Sequence, residues 1–265
     1  ATITDTREAQ ARYDLATAAE IAAENDLRTK RIALDQLVGR TGGEPKPLAT
    51  PVALPALAPA AVDAWVDPAQ SAHPAVRRAQ VDFDSARLEV QKARAGHWPT
   101  LDAVASVADS RVTGSGTSSP GTTTTGTLGV QLAFPIYSGN ATQNRIRETL
   151  SLEEKARNDL DAARRTVAQN TRVAFFGVQS GQAQAKALEA AEASSKLALE
   201  ATQLGYRVGV RVNLDVLNAQ TQLFTTQRDL SKARYDVLLA SLRLRQAAGT
   251  LQPTDVSAVD ALLVK

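Results

Sequence analysis

The clearest pattern in the chain is a seven-residue repeat of large apolar positions between Gly205 and Gly249. Every seventh residue of this stretch is bulky and apolar: Val216, Leu223, Leu230, Val237 and Leu244. Three positions later in each step comes a small residue: Ala219, Thr226, Ala233, Ala240 and Ala247. A strict seven-residue period keeps one face of a helix turned towards a partner. The stretch therefore predicts a packing helix whose large and small rows interlock with those of neighbouring helices.

The same helix pattern occurs twice in the chain. Shifting the sequence by 210 positions places residues 5–39 on residues 215–249 without a gap. Both copies begin at an Asp, Asp5 or Asp215, which we predict to be the N-cap, and both end at a glycine. Agreement at both ends indicates an internal duplication. Because only the second copy is preceded by a stretch like residues 75–205, we expect the first copy to be incomplete and the chain to be truncated at its N-terminus.

A proline-rich segment separates the first copy from the rest of the chain. The first helix is predicted over residues 5–38, and residues 39–74 then hold seven of the eleven prolines. This density rules out a continuous helix or a central strand. We predict a connector with a short helix at 60–66 and with Trp65 held against the helical body. A proline-rich ligand motif is the alternative interpretation. The bulky row of the first helix consists of Tyr13, Leu27 and Leu34.

After a further predicted helix from Pro74 to Ala95, the period of the pattern changes to two. Alternation in residues 100–108 and 125–137 predicts two strands, joined by a polar Gly/Ser/Thr loop over 109–125. The apolar row of the second strand is Leu128, Val130, Leu132 and Phe134. Such a row can face lipid while the opposite face meets a water-filled interior, as in transmembrane barrels. An ordinary hairpin packed on a soluble core is the alternative, and these residues alone do not exclude it.

A very long helix follows the hairpin. Residues 138–204 contain no proline, and about 65 helical residues extend over about 100 Å. The seven-residue row continues through it with one break at Glu153. Glycine inside a helix costs stability, so Gly177 and Gly181 predict the close passage of another helix backbone. A helix this long cannot bury its apolar row within a globule, so we expect an elongated assembly of several chains. The tail after Gly249 predicts one short helix at 256–263.

Composition and motifs argue against several classes of function. The net charge is +2 with interspersed charges, which leaves no basic stripe for nucleic acid, and there is no cysteine for disulfides or thiolate metal sites. His73 and His97 have no acidic or histidine partners at metal-ligand spacing. The glycine-rich segment 114–121 lacks the Lys-Ser/Thr ending of a phosphate loop. We therefore predict no enzyme, no cofactor and no metal site.

The order of helix, hairpin, very long helix, glycine turn and seven-residue-repeat helix resembles the TolC family of outer-membrane efflux ducts. The residues that carry the resemblance are GYRVGVR-x3-DVLNAQTQL at 205–223, YDVLLASLRLRQAAGTL at 235–251, QLAFPIYSGN at 131–140 and TITD-x3-AQARYDLA at 2–16. The resemblance extends over the whole chain apart from the proline-rich connector. It implies a mainly α fold of very long antiparallel coiled-coil helices, with one β-hairpin that contributes to a transmembrane barrel.

The resemblance also implies an assembly and a function. It implies a homotrimer in the bacterial outer membrane, with a twelve-stranded barrel and a helical tunnel that crosses the periplasm. Such a duct passively conducts exported protein or small molecules, and its partners are outer-membrane lipid, a periplasmic adaptor protein and an inner-membrane transporter. One hairpin per chain would supply only half the strands of that barrel, too few for a water-filled channel. The alternative is a soluble periplasmic coiled-coil adaptor without a barrel.

The resemblance further implies roles for particular residues. A closed tip is held by Tyr206 and Arg211 from the second copy and by Thr4 and Asp5 from the first. The tip turn carries over to Gly205 and Gly209, and the acidic tunnel constriction to Asp215. Asn218 stands where the family has its second acidic residue, which leaves cation selectivity open. An exposed Arg211–Asp5 pair would contribute about 0–1 kcal/mol, and the alternative is that both residues merely solvate a helical turn.

These patterns predict six segments along the chain. In order they are the end of a first-repeat coiled-coil helix (1–40), a proline-rich connector (41–74), a helix (75–98), a hairpin (99–137), a long helix with tip turn and return helix (138–250), and a C-terminal tail (251–265).

Overall fold

The computed structural model describes residues 3–49, 51–113 and 121–264, with the backbone alone at residues 4 and 5. The described elements are α1 (Ile3–Val38), α2 (Asp63–Ala72), α3 (Pro74–Ala95), β1 (Thr100–Val112), β2 (Gly121–Ala133), α4 (Ala141–Arg207), α5 (Asn213–Ala248) and α6 (Pro253–Asp260). The chain divides into two compact units. The first unit comprises residues 1–73 and 167–265, and the second comprises residues 74–166.

The duplication predicted from the sequence is confirmed by the two equivalent helices. Both α1 and α5 contain 36 residues, and their bounds differ by the same 210 positions as the sequence repeat. Each ends at a glycine in the left-handed region, Gly39 at φ 69° and Gly249 at φ 71°. A residue with a Cβ rarely adopts this conformation, so glycine ends both helices.

The predicted N-cap at Asp215 is wrong. Val212 occupies the cap position with extended backbone, and Asp215 lies inside the first turn of α5, where its amide donates to the Val212 carbonyl. The helix starts at Asn213, two residues before Asp215. A carboxylate in the first turn is still favoured by the positive end of the helix dipole. Asp5 lies within α1, and its side chain is outside the described residues.

The bulky row of α5 forms the buried seam of the first unit, as predicted. Leu230 is 2% exposed, Val237 is 0% exposed and Leu244 is 1% exposed. Leu244 packs with Phe175 and Val178 of α4, and Val237 packs further along with the small residues of both helices. Burying a side chain of this size contributes about 1.5–3 kcal/mol, so this row dominates the attachment of α5 to α4.

The two glycines inside α4 differ in their surroundings. A Cβ on Gly181 would lie 3.1 Å from Cγ2 of Val237, so α5 does pass close to Gly181, but with a side chain and not the predicted backbone against the glycine. Around Gly177, nothing within the described chain comes within 4 Å of that position. The prediction is therefore wrong for Gly177 within this chain, because this residue lies on the exposed side of α4.

The bulky row of α1 is not buried within the described chain. Tyr13 is 67% exposed, Leu27 is 50% exposed and Leu34 is half-buried. This helix therefore has an apolar surface that the rest of the described chain leaves uncovered.

The proline-rich connector is attached to the helical body through Trp65, as predicted. The indole N–H of Trp65 donates to the Pro59 carbonyl at 2.9 Å, and its ring packs against the cluster around Leu244. The short helix lies further along than predicted, because α2 continues through Pro68. Val66 and Ala69 are completely buried on either side of this proline, and their burial outweighs the backbone hydrogen bond that Pro68 cannot make.

The C-terminal segment pairs with the connector in the first unit. The amide of Ala49 donates to the Leu262 carbonyl, and the amide of Val264 donates to the Pro47 carbonyl, both at 2.9 Å. The predicted helix at 256–263 begins three residues earlier in the structure, because α6 starts at Pro253 behind a capping box. Proline is favoured at the first helical position, which explains the earlier start.

Replacement of Asp255 by Ala is expected to loosen this segment. One carboxylate oxygen of Asp255 pairs with Arg245 at 3.0 Å, and the other accepts from the Gln252 amide at 2.9 Å. Losing both the ion pair and the hydrogen bond should destabilise the local structure by about 1–2 kcal/mol. Hydrogen exchange of the 254–264 amides measures the effect, and replacement of Asp260, an exposed acidic residue of the same helix, by Ala is the control. Equal exchange in both variants would contradict the assignment.

The second unit contains α3, the hairpin and the start of α4. The bounds of α3 agree with the prediction, and Gln80 of α3 accepts a hydrogen bond from Arg164 of α4 at 3.4 Å. The strands β1 and β2 pair antiparallel with Leu101 opposite Leu132 and Ala103 opposite Val130. The predicted 109–125 loop is too long, because the strands extend to Val112 and start again at Gly121. The threonines of this stretch are β-branched and favour strand; residues 114–120 are outside the described part of the chain.

Candidate functional site

The turn between α4 and α5 is built by its two glycines. The carbonyl of Gly205 accepts from the amides of Val210 and Arg211, at 2.9 and 3.1 Å, which closes the turn. Gly209 has φ 79°, where a side chain would be strained. A Cβ on Gly205 would lie 2.8 Å from Cγ of Arg211, so the stem of this arginine crosses directly over the glycine. The turn thus fixes the start of the Arg211 side chain.

The predicted gate residues of this turn are exposed and weakly paired. Tyr206 is 49% exposed. The Arg211 guanidinium lies 3.6 Å from the Asp215 carboxylate, and the Arg211 side chain is 61% exposed. A pair of this kind contributes about 0–1 kcal/mol. The side chains of Thr4 and Asp5 lie outside the described residues, so a link between Arg211 and Asp5 stays a prediction.

The two predicted constriction residues lie one turn apart on the same face of α5. Asp215 is half-buried beside Arg211, and Asn218 is exposed. The Asn218 side-chain carbonyl accepts a hydrogen bond from Nη1 of Arg12 on α1 at 2.8 Å. The other terminal nitrogen of Arg12 lies 3.3 Å from Glu8. Arg12 therefore joins the two copies of the repeat at this level.

Sequence reasoning missed Arg12, although the repeat contained a signal. Glu8 and Asn218 are equivalent positions of the two copies, since they are 210 residues apart. Arg12 follows Glu8 by one helical turn and so shares its face of α1. Glu8 and Asn218 occupy matching positions on the adjacent helices α1 and α5. An α1 residue that contacts Glu8 is therefore placed to contact Asn218 as well.

The hairpin exposes one apolar and one polar face. Directly opposed residues share a face, so Leu101, Ala103 and Ala105 lie beside Leu132, Val130 and Leu128. Leu128 is 89% exposed, Val130 73% and Leu132 68%. The opposite face carries Asp102, Ser106, Thr127 and Gln131. A two-stranded sheet with an uncovered apolar face is at best marginally stable in water, so this face needs a nonaqueous environment or a partner.

The apolar row ends among aromatic residues. Phe134 continues its spacing but lies one residue beyond β2 and is 60% exposed. Trp98 precedes β1 and Tyr137 follows β2, and both are more than two-thirds exposed at the end of the hairpin where Thr100 pairs with Ala133. From Leu128 to Phe134 the row extends over about 20 Å. Apolar bands of about 25 Å bordered by aromatic residues are typical of outer-membrane strands.

Other chemistry finds little support in the described parts of the chain. No group of three or more His, Cys, Asp or Glu residues there is arranged to hold a metal ion. None of the described helices combines the length and the hydropathy of a membrane-spanning segment.

Comparison with known proteins identifies similar chains. The profile of the family described as outer membrane efflux protein matches residues 65–250. The outer membrane protein TolC of Vibrio cholerae is 33% identical over 261 residues, which are 98% of this chain and 60% of that protein. The alkaline protease secretion protein AprF of Pseudomonas aeruginosa is 36% identical over 265 residues, 99% of this chain and 55% of that protein. The chain thus spans somewhat more than half the length of these relatives.

Solved structures share the fold. The open-state outer membrane channel MtrE of Neisseria gonorrhoeae superposes with a TM-score of 0.74 at 20% identity, over 94% of this chain and 56% of that one. The outer membrane protein VceC of Vibrio cholerae superposes with a TM-score of 0.72 at 18% identity, over 94% and 58%. The predicted fold class, long helices with one β-hairpin, is confirmed.

Proposed function

Because the family profile matches most of its length, this chain belongs to the outer membrane efflux protein family, and we propose that it is part of an outer-membrane channel-tunnel. The duct passively conducts exported protein or small molecules from an inner-membrane pump to the exterior. The hairpin contributes to its barrel, and α4 and α5 contribute to its periplasmic tunnel. The observation that carries the proposal is the exposed apolar face of the hairpin, bordered by aromatic residues and backed by a polar face.

The partners of the channel are inferred from surfaces that the described chain leaves uncovered. We propose a homotrimer, since the edges of the hairpin and the bulky row of α1 require neighbours that the described chain does not supply. A periplasmic adaptor protein and an inner-membrane transporter complete the export system. The relative AprF is named for the secretion of alkaline protease, which supports an exported protein as one class of cargo. The roles in this duct rest on binding and conduction, so we propose no catalytic activity.

Lipid-phase labelling tests the orientation of the hairpin. The chain contains no cysteine, so single Cys substitutions give unambiguous sites for a thiol probe dissolved in lipid. We expect labelling after Leu128→Cys, Val130→Cys and Leu132→Cys in membranes, and little after Thr127→Cys and Gln131→Cys. Absence of labelling from both rows would favour the soluble adaptor instead, and labelling of the polar row alone would reverse the assignment of the two faces.

We propose that the turn at Gly205 and Gly209 forms the tip of the tunnel, where Tyr206 and Arg211 link to Thr4 and Asp5 and hold it closed. Such links are weak singly, at about 0–1 kcal/mol, so a threefold set biases a gate that a docking partner can still open. Asp215 and Asn218 line the passage beside this gate.

Loss of the links should open the gate. We expect Arg211→Ser and Tyr206→Phe to raise the single-channel conductance of the full-length trimer in planar bilayers. Three links of about 1 kcal/mol at most shift the closed-to-open ratio by up to about a hundredfold. Arg228→Ser removes an exposed arginine from the same helix far from the turn and serves as the control. Unchanged conductance in both gate variants would remove the gate assignment.

A further inference from the structure

One arginine connects the two copies of the repeat close to the proposed constriction. Arg12 donates to the Asn218 amide oxygen at 2.8 Å and lies 3.3 Å from Glu8. Its side chain is 36% exposed, so the cation is held between two partners and still reaches solvent. The bond to Asn218 joins residues 206 positions apart and is a tertiary contact between α1 and α5.

The partners of Arg12 leave its charge only partly compensated. Asn218 is an amide and accepts the hydrogen bond without adding a charge, whereas a carboxylate there would neutralise the guanidinium and shorten the bond. Among the described side chains, the carboxylate that pairs with Arg12 is that of Glu8, which is 45% exposed. On α5, the Asp215 carboxylate lies beside the Arg211 guanidinium. The two ion pairs described here, Arg12 with Glu8 and Arg211 with Asp215, each join one guanidinium to one carboxylate.

We propose that Arg12 is a specificity-determining residue of the passage. Its guanidinium, held by Asn218 and Glu8, offsets the carboxylates at the constriction, so that the passage does not select strongly for cations. The proposal rests on the proposed function, because Asp215 and Asn218 must line the passage for their neighbour to influence permeating ions. In a threefold assembly one residue type contributes three charges to a single ring, and each acts over about 10 Å at 0.1 M salt.

The reversal potential of the full-length trimer under a KCl gradient tests the charge balance. We expect Arg12→Gln to raise the ratio of cation to anion permeability roughly threefold to tenfold, the order expected for three unit charges near a narrow passage. Asn218→Asp adds a negative charge to the same cluster and should act in the same direction. Asp215→Asn removes one and should lower the ratio. Raising the salt to 1 M, where screening acts within about 3 Å, should shrink all three effects.

Arg28→Gln is the matched control. Arg28 is an exposed arginine of α1 with an acidic neighbour one turn earlier, Glu24 at 3.8 Å, as Arg12 has Glu8. It follows Arg12 by about 24 Å along the helix, more than two screening lengths. We expect no change in the permeability ratio from this substitution.

The outcomes separate the inference from the proposed function. If Asp215→Asn moves the reversal potential and Arg12→Gln does not, the constriction stands and the role of Arg12 is wrong. If neither substitution moves it, the constriction assignment is wrong, and the inference falls with it. Opposite shifts in the two variants, with Arg28→Gln unchanged, support both.

A cross-linking experiment tests the geometry without reference to conduction. The chain has no cysteine, so the double variant Arg12→Cys/Asn218→Cys introduces two thiols at chosen positions. A short bis-maleimide should join them within one chain and change its mobility in denaturing gels. Arg28→Cys/Asn218→Cys should not react in this way. Failure of the first pair to cross-link would overturn the proposal.

Discussion

Replacement of Val130 by arginine should prevent stable insertion of the hairpin into the outer membrane. Val130 lies in the middle of the apolar face, opposite Ala103, and is 73% exposed. An arginine on the lipid face of an outer-membrane strand costs about 2–4 kcal/mol near the midplane of the bilayer. In a trimer this cost arises three times, which is comparable to the total stability of many proteins.

The adjacent residue provides the control for this experiment. Gln131 follows Val130 in β2 and lies on the opposite, polar face. We expect Gln131→Arg to insert nearly as well as the unmodified protein, because a charge on that face meets water. The measurement is the fraction of protein that becomes protease-resistant after folding into lipid vesicles. A larger defect in Gln131→Arg than in Val130→Arg would reverse the assignment of the two faces.

Substitution of Gly181 by leucine is expected to destabilise the packing of α4 against α5. The Cβ alone would lie 3.1 Å from the Val237 side chain, which is completely buried and has little room to move. Overpacking of a close contact costs about 1–3 kcal/mol of stability. Because leucine is branched, we expect the loss for Gly181→Leu to lie at the upper end of this range. The free energy of unfolding, measured by urea titration and followed by circular dichroism, reports the loss.

Gly177→Leu is the matched comparison, because it makes the same change one helical turn earlier. Nothing in the described part of the chain lies within 4 Å of a Cβ at Gly177. Replacing glycine inside a helix removes a penalty of about 1 kcal/mol, so the helix should be unchanged or slightly more stable. Similar losses in both variants would show that the contact with Val237 does not set the spacing of the two helices.

Much of the helical fold could be predicted because its signals are local. The seven-residue row predicts the buried face of α5. Pro74 predicts the start of α3, and the Gly-His-Trp-Pro sequence at 96–99 predicts its end. The prediction failed where burial outweighed a local preference. The short helix was predicted to end at residue 66, yet the buried Val66 and Ala69 keep α2 helical on both sides of Pro68. The same applies to the ends of the strands, where pairing of β1 with β2 extends into a stretch that its polarity suggested was loop.

In the candidate site, too, some features could be predicted from the sequence and others could not. The turn at Gly205 and Gly209 could be predicted from its glycines, since a positive φ and a close approach both require them. The contact between Arg12 and Asn218 was missed, because it joins residues 206 positions apart and depends on α1 lying beside α5. The one sequence signal for it is the equivalence of Glu8 and Asn218 in the two copies of the repeat, which matters only once α1 and α5 are known to lie side by side.

The hairpin makes the newly made protein prone to aggregation before it is inserted into the membrane. Within the described residues, β1 and β2 pair only with each other over 13 residues each. Each strand therefore has an outer edge of unpaired amides and carbonyls that can recruit a strand from any other newly made chain. During export to the cell envelope, correct assembly therefore competes with aggregation through these edges.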